Sequence, residues 1–240
     1  MSASSHKPLV YIISAPSGSG KSTLVNELLK KVSDLEFSIS YTTRAPRGSE
    51  VNGRQYYFVS RAEFEKMIAE DAFLEYAEVF GENYYGTARR FLISAEQQGR
   101  DLLLDIDVQG AKQIQDKIPD ATSIFILPPN RKILEERLRK RSEDSDEVIQ
   151  RRLDTATREI ENYQRYDYLL INDQLEDSIK VLRAVVRGER LLRAGRPLSE
   201  EEEKIVALAD CCRLANVRDR LKPILASFRS SSNTGGKNPP

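Results

Sequence analysis

The residues best suited to chemistry lie near the start of the chain, in the segment Ala-Pro-Ser-Gly-Ser-Gly-Lys-Ser at positions 15–22. Glycines at positions 18 and 20 allow backbone N–H groups to approach phosphate oxygens without a Cβ in the way. Lys21 can reach the β- and γ-phosphates of a nucleoside triphosphate, and the Ser22 hydroxyl can ligate Mg²⁺. The segment is typical of a phosphate-binding P-loop.

The elements on either side of this loop match that interpretation. Leu9–Ile13 is a short, apolar, β-branched run, which favours a strand buried on both faces. Residues 23–29 carry apolar side chains at helical spacing, so the loop leads into a helix whose N-terminus attracts anions. Ala15 stands where the pattern usually has its first glycine, and that position must tolerate a methyl group. A Gly/Ser turn without ligand is the alternative, and the complete strand–loop–helix context disfavours it.

Two further groups of charged residues could act on a nucleotide. Asp105 and Asp107 follow the buried run Leu102–Leu104, where a carboxylate of the Walker B type would lie beside the P-loop and its Mg²⁺. Six arginines surround a polar, acidic turn at 142–146: Arg131, Arg137, Arg139, Arg141, Arg151 and Arg152. For most of them, salt bridges on a solvated helix face are the better interpretation. Arginine also binds phosphate with two parallel hydrogen bonds, so this segment suits a lid that closes over a triphosphate.

Composition excludes several classes of protein. The 37 basic and 37 acidic residues cancel, so nothing indicates a general affinity for nucleic acid or a membrane. His6 is the only histidine of the chain, which excludes a histidine-based catalytic triad or metal site. The only cysteines, Cys211 and Cys212, are adjacent, and there is no N-terminal apolar stretch, so we expect a reducing cytoplasmic environment. No segment approaches the ~20 apolar residues that span a bilayer.

Strand-like and helical segments alternate along the chain, which predicts an α/β fold with a parallel sheet. The expected organisation is a P-loop core with a small, mostly β insertion, a helical lid and a C-terminal helical extension. We expect a strand at 37–41, an Asn-Gly turn at 51–54 followed by a returning strand at 55–59 to give a small hairpin, and a turn at 81–86. The predicted parts are a flexible tail (1–8), the core (9–37, 91–130 and 159–190), the insertion (38–90), the lid (131–158) and the extension (191–240).

Six motifs occur together and in order, and they support a closer comparison. They are Ala-Pro-Ser-Gly-Ser-Gly-Lys-Ser, Ser-Tyr-Thr-Thr-Arg-Ala-Pro-Arg, Gln-Tyr-Tyr-Phe-Val-Ser, Phe-Leu-Glu-Tyr-Ala-Glu, Asn-Tyr-Tyr-Gly-Thr and Leu-Asp-Ile-Asp-Val-Gln-Gly. In this series the chain resembles the guanylate kinases, P-loop nucleoside monophosphate kinases, from about Pro8 to Arg190. The resemblance implies transfer of the γ-phosphate of ATP to GMP, and to dGMP, giving ADP and GDP in purine nucleotide metabolism.

The resemblance also implies roles for individual residues. The implied ATP contacts are Ala15, Pro16, Ser17, Gly18, Ser19, Gly20, Lys21, Ser22, Thr23 and, at the adenine, Asn172. The implied ligands around the GMP phosphate are Ser40, Arg44, Arg47, Glu50, Tyr56 and Tyr85. The implied guanine contacts are Glu75, Thr87 and Asp107. The implied catalytic residues are Lys21, Arg44 and the lid arginines Arg137, Arg141 and Arg152.

Mg²⁺ is the implied cofactor, bound with ATP by Ser22 and, through water, by Asp105. The sequence leaves open whether Asp105 or Asp107 serves the metal and which serves guanine. The segment 81–85 is one residue longer than the commonest family form, which affects the position assigned to Tyr85. Because the acceptor is already an anionic phosphate, we expect catalysis by positioning and charge neutralisation, with the insertion and the lid closing to exclude water.

Two other functions fit part of the sequence. Asp107-Val108-Gln109-Gly110 matches the DxxG motif of regulatory GTPases, but the chain has no Asn-Lys-x-Asp motif and the insertion is unexplained. A catalytically inactive scaffold module would lack a working P-loop, whereas Lys21 and Ser22 are present. Beyond Gly195 no family motif occurs. We expect a helix with Ile205, Leu208 and Cys212 on its apolar face, an interruption at Pro223 and a disordered end from Arg229. The preferred interpretation is a helix docked on the core; self-association is the alternative, so both a monomer and a homo-oligomer remain open.

Overall fold

A computed structural model describes residues 7–79, 82–141 and 145–229, without the side chain of Arg141. Most of the predicted N-terminal tail, part of the acidic turn at 142–146 and nearly all of the predicted disordered end lie outside the described residues. Among the described residues, no helix has the length and apolar character needed to cross a membrane.

Strands and helices alternate through most of the described chain, as predicted. The strands are β1 (Val10–Ser14), β2 (Leu35–Ser38), β3 (Tyr41–Thr42), β4 (Tyr57–Phe58), β5 (Phe73–Val79), β6 (Asn83–Ala88), β7 (Asp101–Asp105), β8 (Thr122–Leu127) and β9 (Tyr168–Ile171). The helices are α1 (Lys21–Lys31), α2 (Arg61–Ala69), α3 (Arg90–Gln98), α4 (Val108–Lys117), α5 (Arg131–Arg141), α6 (Asp146–Ile160), α7 (Leu175–Arg193), α8 (Glu200–Asp210) and α9 (Leu214–Arg229).

The chain divides into two compact units, and the first comprises residues 1–14 and 29–123. Its parallel strands lie in the order β2, β7, β1, and the fully buried leucines 102–104 of β7 form the centre. Strands buried on both faces consist of continuous apolar residues, which is why β1 and β7 were recognisable from sequence. A second sheet in this unit has the order β4, β3, β6, β5 and forms the mostly β part of the predicted insertion.

Three local predictions in this unit were wrong: the strand at 37–41, the Asn-Gly hairpin and the turn at 81–86. The strand expected at 37–41 is divided between β2 and β3, and Leu35 and Glu36 belong to β2. The predicted hairpin does not form, because β4 runs parallel to β3. Asn52 instead accepts a hydrogen bond from the backbone N–H of Phe58, at 2.8 Å, so the Asn-Gly turn stabilises a loop.

The turn predicted at 81–86 is mostly strand, because β6 pairs with β5 from Asn83 to Ala88. Gly86 is required there by packing and not by a turn. A Cβ on Gly86 would lie 3.0 Å from the backbone oxygen of Glu75 and from the rings of Phe64 and Phe73. Close approach of a neighbouring strand and two aromatic rings leaves no space for a side chain at this position.

The second unit comprises residues 15–28 and 124–240. Its strands β8 and β9 pair in parallel, Ile124 with Tyr168 through Leu127 with Ile171. Helices α5 and α6, which correspond to the predicted lid, pack against each other, and α9 packs on both of them and on β9. Parallel strands connected through helices confirm the predicted α/β class.

The C-terminal extension forms two helices docked on the second unit, which agrees with the preferred interpretation. Ser199 caps α8 with a reciprocal capping box to Glu202, and α8 packs on α7. The expected apolar face was partly wrong, because Leu208 is exposed and Ala209 is buried. The expected interruption at Pro223 was also wrong, because α9 continues through it.

The burial of one face of α9 explains why this helix tolerates a proline. Val217, Leu221, Ile224 and Phe228 are all buried and recur at helical spacing. An interior proline costs about 3 kcal/mol, whereas each fully buried large apolar side chain contributes about 1.5–3 kcal/mol. Four such side chains therefore outweigh the proline.

A matched pair of substitutions tests this docking. Leu221 is 2% exposed on α9 and Leu208 is 42% exposed on α8. We expect Leu221→Ala to lower the free energy of unfolding by about 2–5 kcal/mol, and Leu208→Ala by less than about 1 kcal/mol. Equilibrium denaturation in urea measures both. Equal losses for the two variants would show that α9 is not docked as described.

Candidate active site

The P-loop belongs to the second unit and has the predicted backbone conformation. Gly18 and Gly20 have φ angles of 89° and 90°, which side chains rarely tolerate, and α1 begins at Lys21. A Cβ on Gly18 would also lie 2.9 Å from side-chain atoms of Leu134 and Leu138, so helix α5 packs directly on the loop. The loop is thus held in a form that presents backbone N–H groups at the helix N-terminus.

Asn172 holds the same loop from the end of β9. Its side chain is buried, with 5% of the residue exposed, and its Nδ2 donates to the backbone oxygen of Ser19 at 2.8 Å. A Cβ on Gly20 would lie 2.3 Å from that Nδ2, so this contact requires glycine. The contact between Asn172 and adenine stays a prediction; the described contact is with the P-loop.

Arg137 of α5 lies against the same turn. Its Nη2 donates to the backbone oxygen of Asn172 at 3.0 Å, and burial lowers the pKa of the guanidinium although the charge of Asp173 opposes this. Its Nη1 is buried and makes no hydrogen bond to any described residue. A half-buried guanidinium with a buried, unused donor has a strong tendency to bind an anion.

The other arginines of this segment differ in their surroundings. Arg139 pairs with Glu135 and Asp146, as the salt-bridge interpretation predicted. Arg152 lies half-buried on α6. Arg141 ends α5, and its predicted role concerns a side chain outside the described part of the structure.

Lys21 and Ser22 occupy the first turn of α1, and the Ser22 side chain is exposed. Among the described residues, no group of three or more His, Cys, Asp or Glu side chains could hold a metal ion by itself. Mg²⁺ at a triphosphate site usually keeps several waters and is bound by the substrate phosphates with one or two protein oxygens. An exposed hydroxyl next to the P-loop lysine fits an ion that arrives with the nucleotide.

The first unit contains the residues predicted to bind the GMP phosphate, and Arg44 is their centre. Its Nη1 and Nη2 each donate to one oxygen of Glu50 at 3.0 Å, and its Nε donates to the Tyr85 hydroxyl at 3.2 Å. The hydrogen bond raises the pKa of Arg44 and lowers the pKa of Glu50. The Arg44 side chain is only 10% exposed and also lies over the ring of Tyr56, 5.4 Å from its centroid. This pairing shows that the guanidinium can bind an oxyanion with two parallel hydrogen bonds.

Other predicted phosphate ligands surround this pair. The ring edge of Tyr56 meets the ring of Tyr85, with centroids 5.8 Å apart. The backbone N–H of Arg47 donates to Glu50 at 2.8 Å, and its side chain is exposed. Ser40 lies between β2 and β3, and its backbone oxygen accepts from the N–H of Tyr57. Arg44, Arg47, Glu50, Tyr56 and Tyr85 therefore form one cluster, which we call the Arg44 cluster, and Ser40 is connected to it through the backbone of Tyr57, the neighbour of Tyr56.

Glu75, Thr87 and Asp107 form a second cluster in the same unit, which we call the Glu75 cluster. Glu75 of β5 and Thr87 of β6 are register partners. Burial is the main cause that raises the pKa of Glu75 to about 7, and the negative charge of Asp107 adds to this. The hydroxyl and backbone N–H of Thr87 oppose the shift, so they lie near the carboxylate. Thr87 Oγ1 is nevertheless buried and has no hydrogen-bond partner among the described residues.

Asp107 does not extend β7, which ends at Asp105. It caps α4 instead, and its Oδ1 accepts from the backbone N–H groups of Gln109 and Gly110 at 2.9 and 2.8 Å. The cap holds the Asp107 carboxylate in place close enough to Glu75 for their charges to interact. The structure thus brings together all three residues that the sequence predicted as guanine contacts.

The sequence analysis missed two residues of this cluster. A Cβ on Gly110 would lie 2.4 Å from Glu75 Oε2, and the Lys117 ammonium donates to the backbone oxygen of Leu74. The positive charge of Lys117 lowers the pKa of Glu75. The glycine at the start of α4 was the available signal, because glycine in a helix costs up to about 1 kcal/mol and therefore needs a packing reason.

A P-loop in an α/β fold, together with the Arg44 cluster and the buried Glu75 cluster, has the composition expected of a P-loop nucleoside monophosphate kinase. A sequence model of guanylate kinases matches residues 7–189. The chain belongs to the guanylate kinase family, as its six motifs predicted.

Individual relatives agree with this assignment. The chain is 56% identical over 226 residues to a guanylate kinase from Koribacter versatilis, covering 93% of this chain and 97% of the relative. It is 53% identical to one from Sodalis glossinidius, covering 78% and 90% of the two chains. A crystal structure of guanylate kinase from Anaplasma phagocytophilum is similar, with a TM-score of 0.64, 34% identity and coverage of 77% of this chain and 87% of that one. The Koribacter alignment extends into the C-terminal helices.

Proposed function

We propose that the P-loop of the second unit binds ATP and that the two clusters of the first unit bind GMP. The chain is a nucleoside monophosphate kinase, and its reaction is transfer of the γ-phosphate of ATP to GMP, giving ADP and GDP. One observation carries the proposal for GMP. Tyr85 and Thr87 are two residues apart on β6, so their side chains share one face at about 7 Å. That spacing suits a ligand with a phosphate at the Arg44 cluster and a base at the Glu75 cluster.

At the acceptor phosphate, the Arg44 cluster supplies the charge that a dianion requires. Arg44 already binds a carboxylate with both Nη atoms, and a phosphate offers the same geometry with one more oxygen. Arg47 adds a second exposed guanidinium, while the Tyr56 and Tyr85 hydroxyls can donate to the remaining oxygens. Ser40 and Glu50 support these ligands from the neighbouring loop.

At the base, the Glu75 cluster has the hydrogen-bonding pattern of guanine. A carboxylate accepts from guanine N1–H and from the 2-amino group, and the buried Thr87 hydroxyl can donate to O6. Asp107, held beside Glu75 by its cap, offers a further acceptor, which supports the guanine role for Asp107 and leaves Asp105 for the metal waters. Adenine presents an acceptor at N1 and an amine at position 6, so buried groups would stay unpaired. Such mismatches can yield discrimination of about 10⁴-fold or more.

At the donor, Lys21 and the P-loop N–H groups would hold the β- and γ-phosphates. The unused Nη1 of Arg137 supports a role in neutralising the transferred group, and the family resemblance adds Arg141 and Arg152. We propose that Ser22 binds Mg²⁺ together with the triphosphate; the water-mediated contact of Asp105 stays a prediction from the family resemblance. When bound, Mg²⁺ neutralises phosphate charge and fixes the triphosphate geometry. The cytoplasmic location, the use of dGMP and the oligomeric state stay predictions.

The buried carboxyl of Glu75 predicts a pH dependence. The pKa of Glu75 is raised to about 7, so below that pH the group is protonated and loses one of its two acceptors for guanine. We expect kcat/KM for GMP to fall by up to about tenfold per pH unit below pH 7 and to level off above it. Initial rates between pH 5.5 and 9 at saturating ATP measure this.

Glu75→Gln is the control for this profile, because a phosphate monoester also titrates near pH 6. The variant keeps the phosphate titration and loses the Glu75 titration. If wild type and Glu75→Gln have the same pH profile, Glu75 does not contribute a titrating acceptor.

Acceptor selectivity tests the proposed function as a whole. We would measure ADP formation from ATP and Mg²⁺ with GMP, AMP, CMP or UMP as acceptor. Turnover with GMP and not with the other three is the expected result. GMP binding without ADP formation would favour a scaffold module, and GTP hydrolysis that needs no monophosphate would favour a GTPase.

A further inference from the structure

Gly110 touches both carboxylates of the Glu75 cluster. Its backbone N–H donates to Asp107 Oδ1 at 2.8 Å, and its bare Cα faces the Glu75 carboxylate. An added Cβ would lie 2.4 Å from Oε2 and 2.9 Å from Cδ of Glu75, closer than side-chain carbons approach other heavy atoms. Gly110 is buried in the first turn of α4 and does not have a positive φ angle, so its backbone conformation does not require glycine.

Neighbouring contacts prevent the helix from moving away to relieve such a clash. Gln113, one turn after Gly110, donates to the backbone oxygen of Tyr76 at 2.7 Å and accepts from the Tyr76 N–H. Lys117, two turns after Gly110, donates to the backbone oxygen of Leu74. These contacts fasten α4 to β5 at the residues on both sides of Glu75. A side chain at position 110 would therefore displace the carboxylate and not the helix.

We propose that Gly110 is a specificity-determining residue, because its missing side chain creates the space that the Glu75 carboxylate occupies when it accepts from guanine. Gly110 is a positioning residue that acts through Glu75. This inference rests on the proposed role of Glu75 in binding GMP. Gly110 is the last residue of the DxxG-like segment 107–110, and the inference gives this glycine a packing role beside the acceptor base.

The substitution Gly110→Ala tests the inference, with Gly188→Ala as its matched control. Gly188 also lies inside a helix, α7, where an added Cβ meets Ala209 at an ordinary 3.4 Å. Both substitutions improve helix propensity, so a general effect of alanine would appear in both. We expect Gly110→Ala to raise the KM for GMP by about 10- to 100-fold, to reduce the preference for GMP over AMP, and to leave the KM for ATP unchanged. Gly188→Ala should leave all three unchanged.

A double-mutant cycle with Glu75→Ala shows whether Gly110 acts through Glu75. In the Glu75→Ala background the clash is absent, so adding Gly110→Ala should cause no further loss of GMP binding. An equal loss in both backgrounds, or no loss from Gly110→Ala in the wild type, would overturn the inference. If Glu75→Ala itself leaves the KM for GMP unchanged, the proposed role of Glu75 fails instead, and the two failures are distinguishable.

Folding of the variants provides a second measurement. If Gly110→Ala alone does not fold, the inference predicts that Gly110→Ala with Glu75→Ala folds, because the carboxylate that blocks the Cβ is gone. Thermal unfolding followed by circular dichroism measures this. A double variant that also fails to fold, while Glu75→Ala alone folds, would contradict the inference.

Discussion

Replacement of Lys21 by alanine is expected to lower kcat for ADP formation by about 10²- to 10³-fold or more. Lys21 begins α1 directly after the two positive-φ glycines, where its ammonium can neutralise charge on the β- and γ-phosphates. GMP binding should be unchanged, because its proposed ligands belong to the other unit. Coupled measurement of ADP formation and titration calorimetry with GMP separate the two effects.

Lys31→Ala is the matched control for this substitution. Lys31 is exposed in the last turn of the same helix, so the variant removes an equal charge without touching the loop. We expect its kcat to equal that of the wild type. If Lys21→Ala retains most of its activity, or if both lysine variants lose activity alike, the proposed donor site is wrong.

Replacement of Arg44 by alanine is expected to raise the KM for GMP by about 30-fold to several thousand-fold, since truncating one partner of a buried, hydrogen-bonded charge pair costs about 2–5 kcal/mol. The variant also leaves Glu50 without its bidentate partner, so a negative charge would face the incoming phosphate. Arg44→Lys should restore only part of the affinity, because lysine keeps the charge but lacks the planar fork. Initial rates at varied GMP and saturating ATP measure these changes.

Arg54→Ala serves as the control, because Arg54 is exposed in the same loop region. Its KM for GMP and the KM for ATP of all these variants should match the wild type. Full recovery by Arg44→Lys would show that charge alone matters at this position. An unchanged KM for GMP in Arg44→Ala would contradict the phosphate role.

Local sequence patterns predicted the P-loop, the helix that follows it and the helical lid. The loop conformation depends on glycines at two positive-φ positions and on the strand and helix that flank it, all within about 20 residues. Helix α2 begins after Ser60, whose side chain accepts from the Glu63 N–H, and α3 ends at Gly99 in the left-handed conformation, both as their sequences indicate. Caps and short turns depend on neighbours in the chain, so they can be recognised without a structure.

Local patterns failed where distant packing decided the conformation. The Asn-Gly signal at 52–53 did not produce a hairpin, because β4 pairs in parallel with the preceding strand β3, whereas a hairpin requires antiparallel strands. Gly86 looked like a turn residue, but its role is to permit contact with Phe64 and Phe73. Pro223 looked like a helix terminator, but burial of one face of α9 outweighs its cost.

The amino-acid sequence was sufficient to identify the family, the P-loop and the chemical identity of the residues proposed to contact each substrate. These depend on residue types at fixed spacing, which are complete in the sequence. The surroundings of those residues, and hence their properties, depend on the tertiary fold. It buries Glu75 beside Asp107 and raises its pKa to about 7, turns Asn172 onto the Ser19 carbonyl, and brings Gly110 against the Glu75 carboxylate. The physical reason is that burial and close contact arise between segments far apart in the chain, and residue spacing does not encode them.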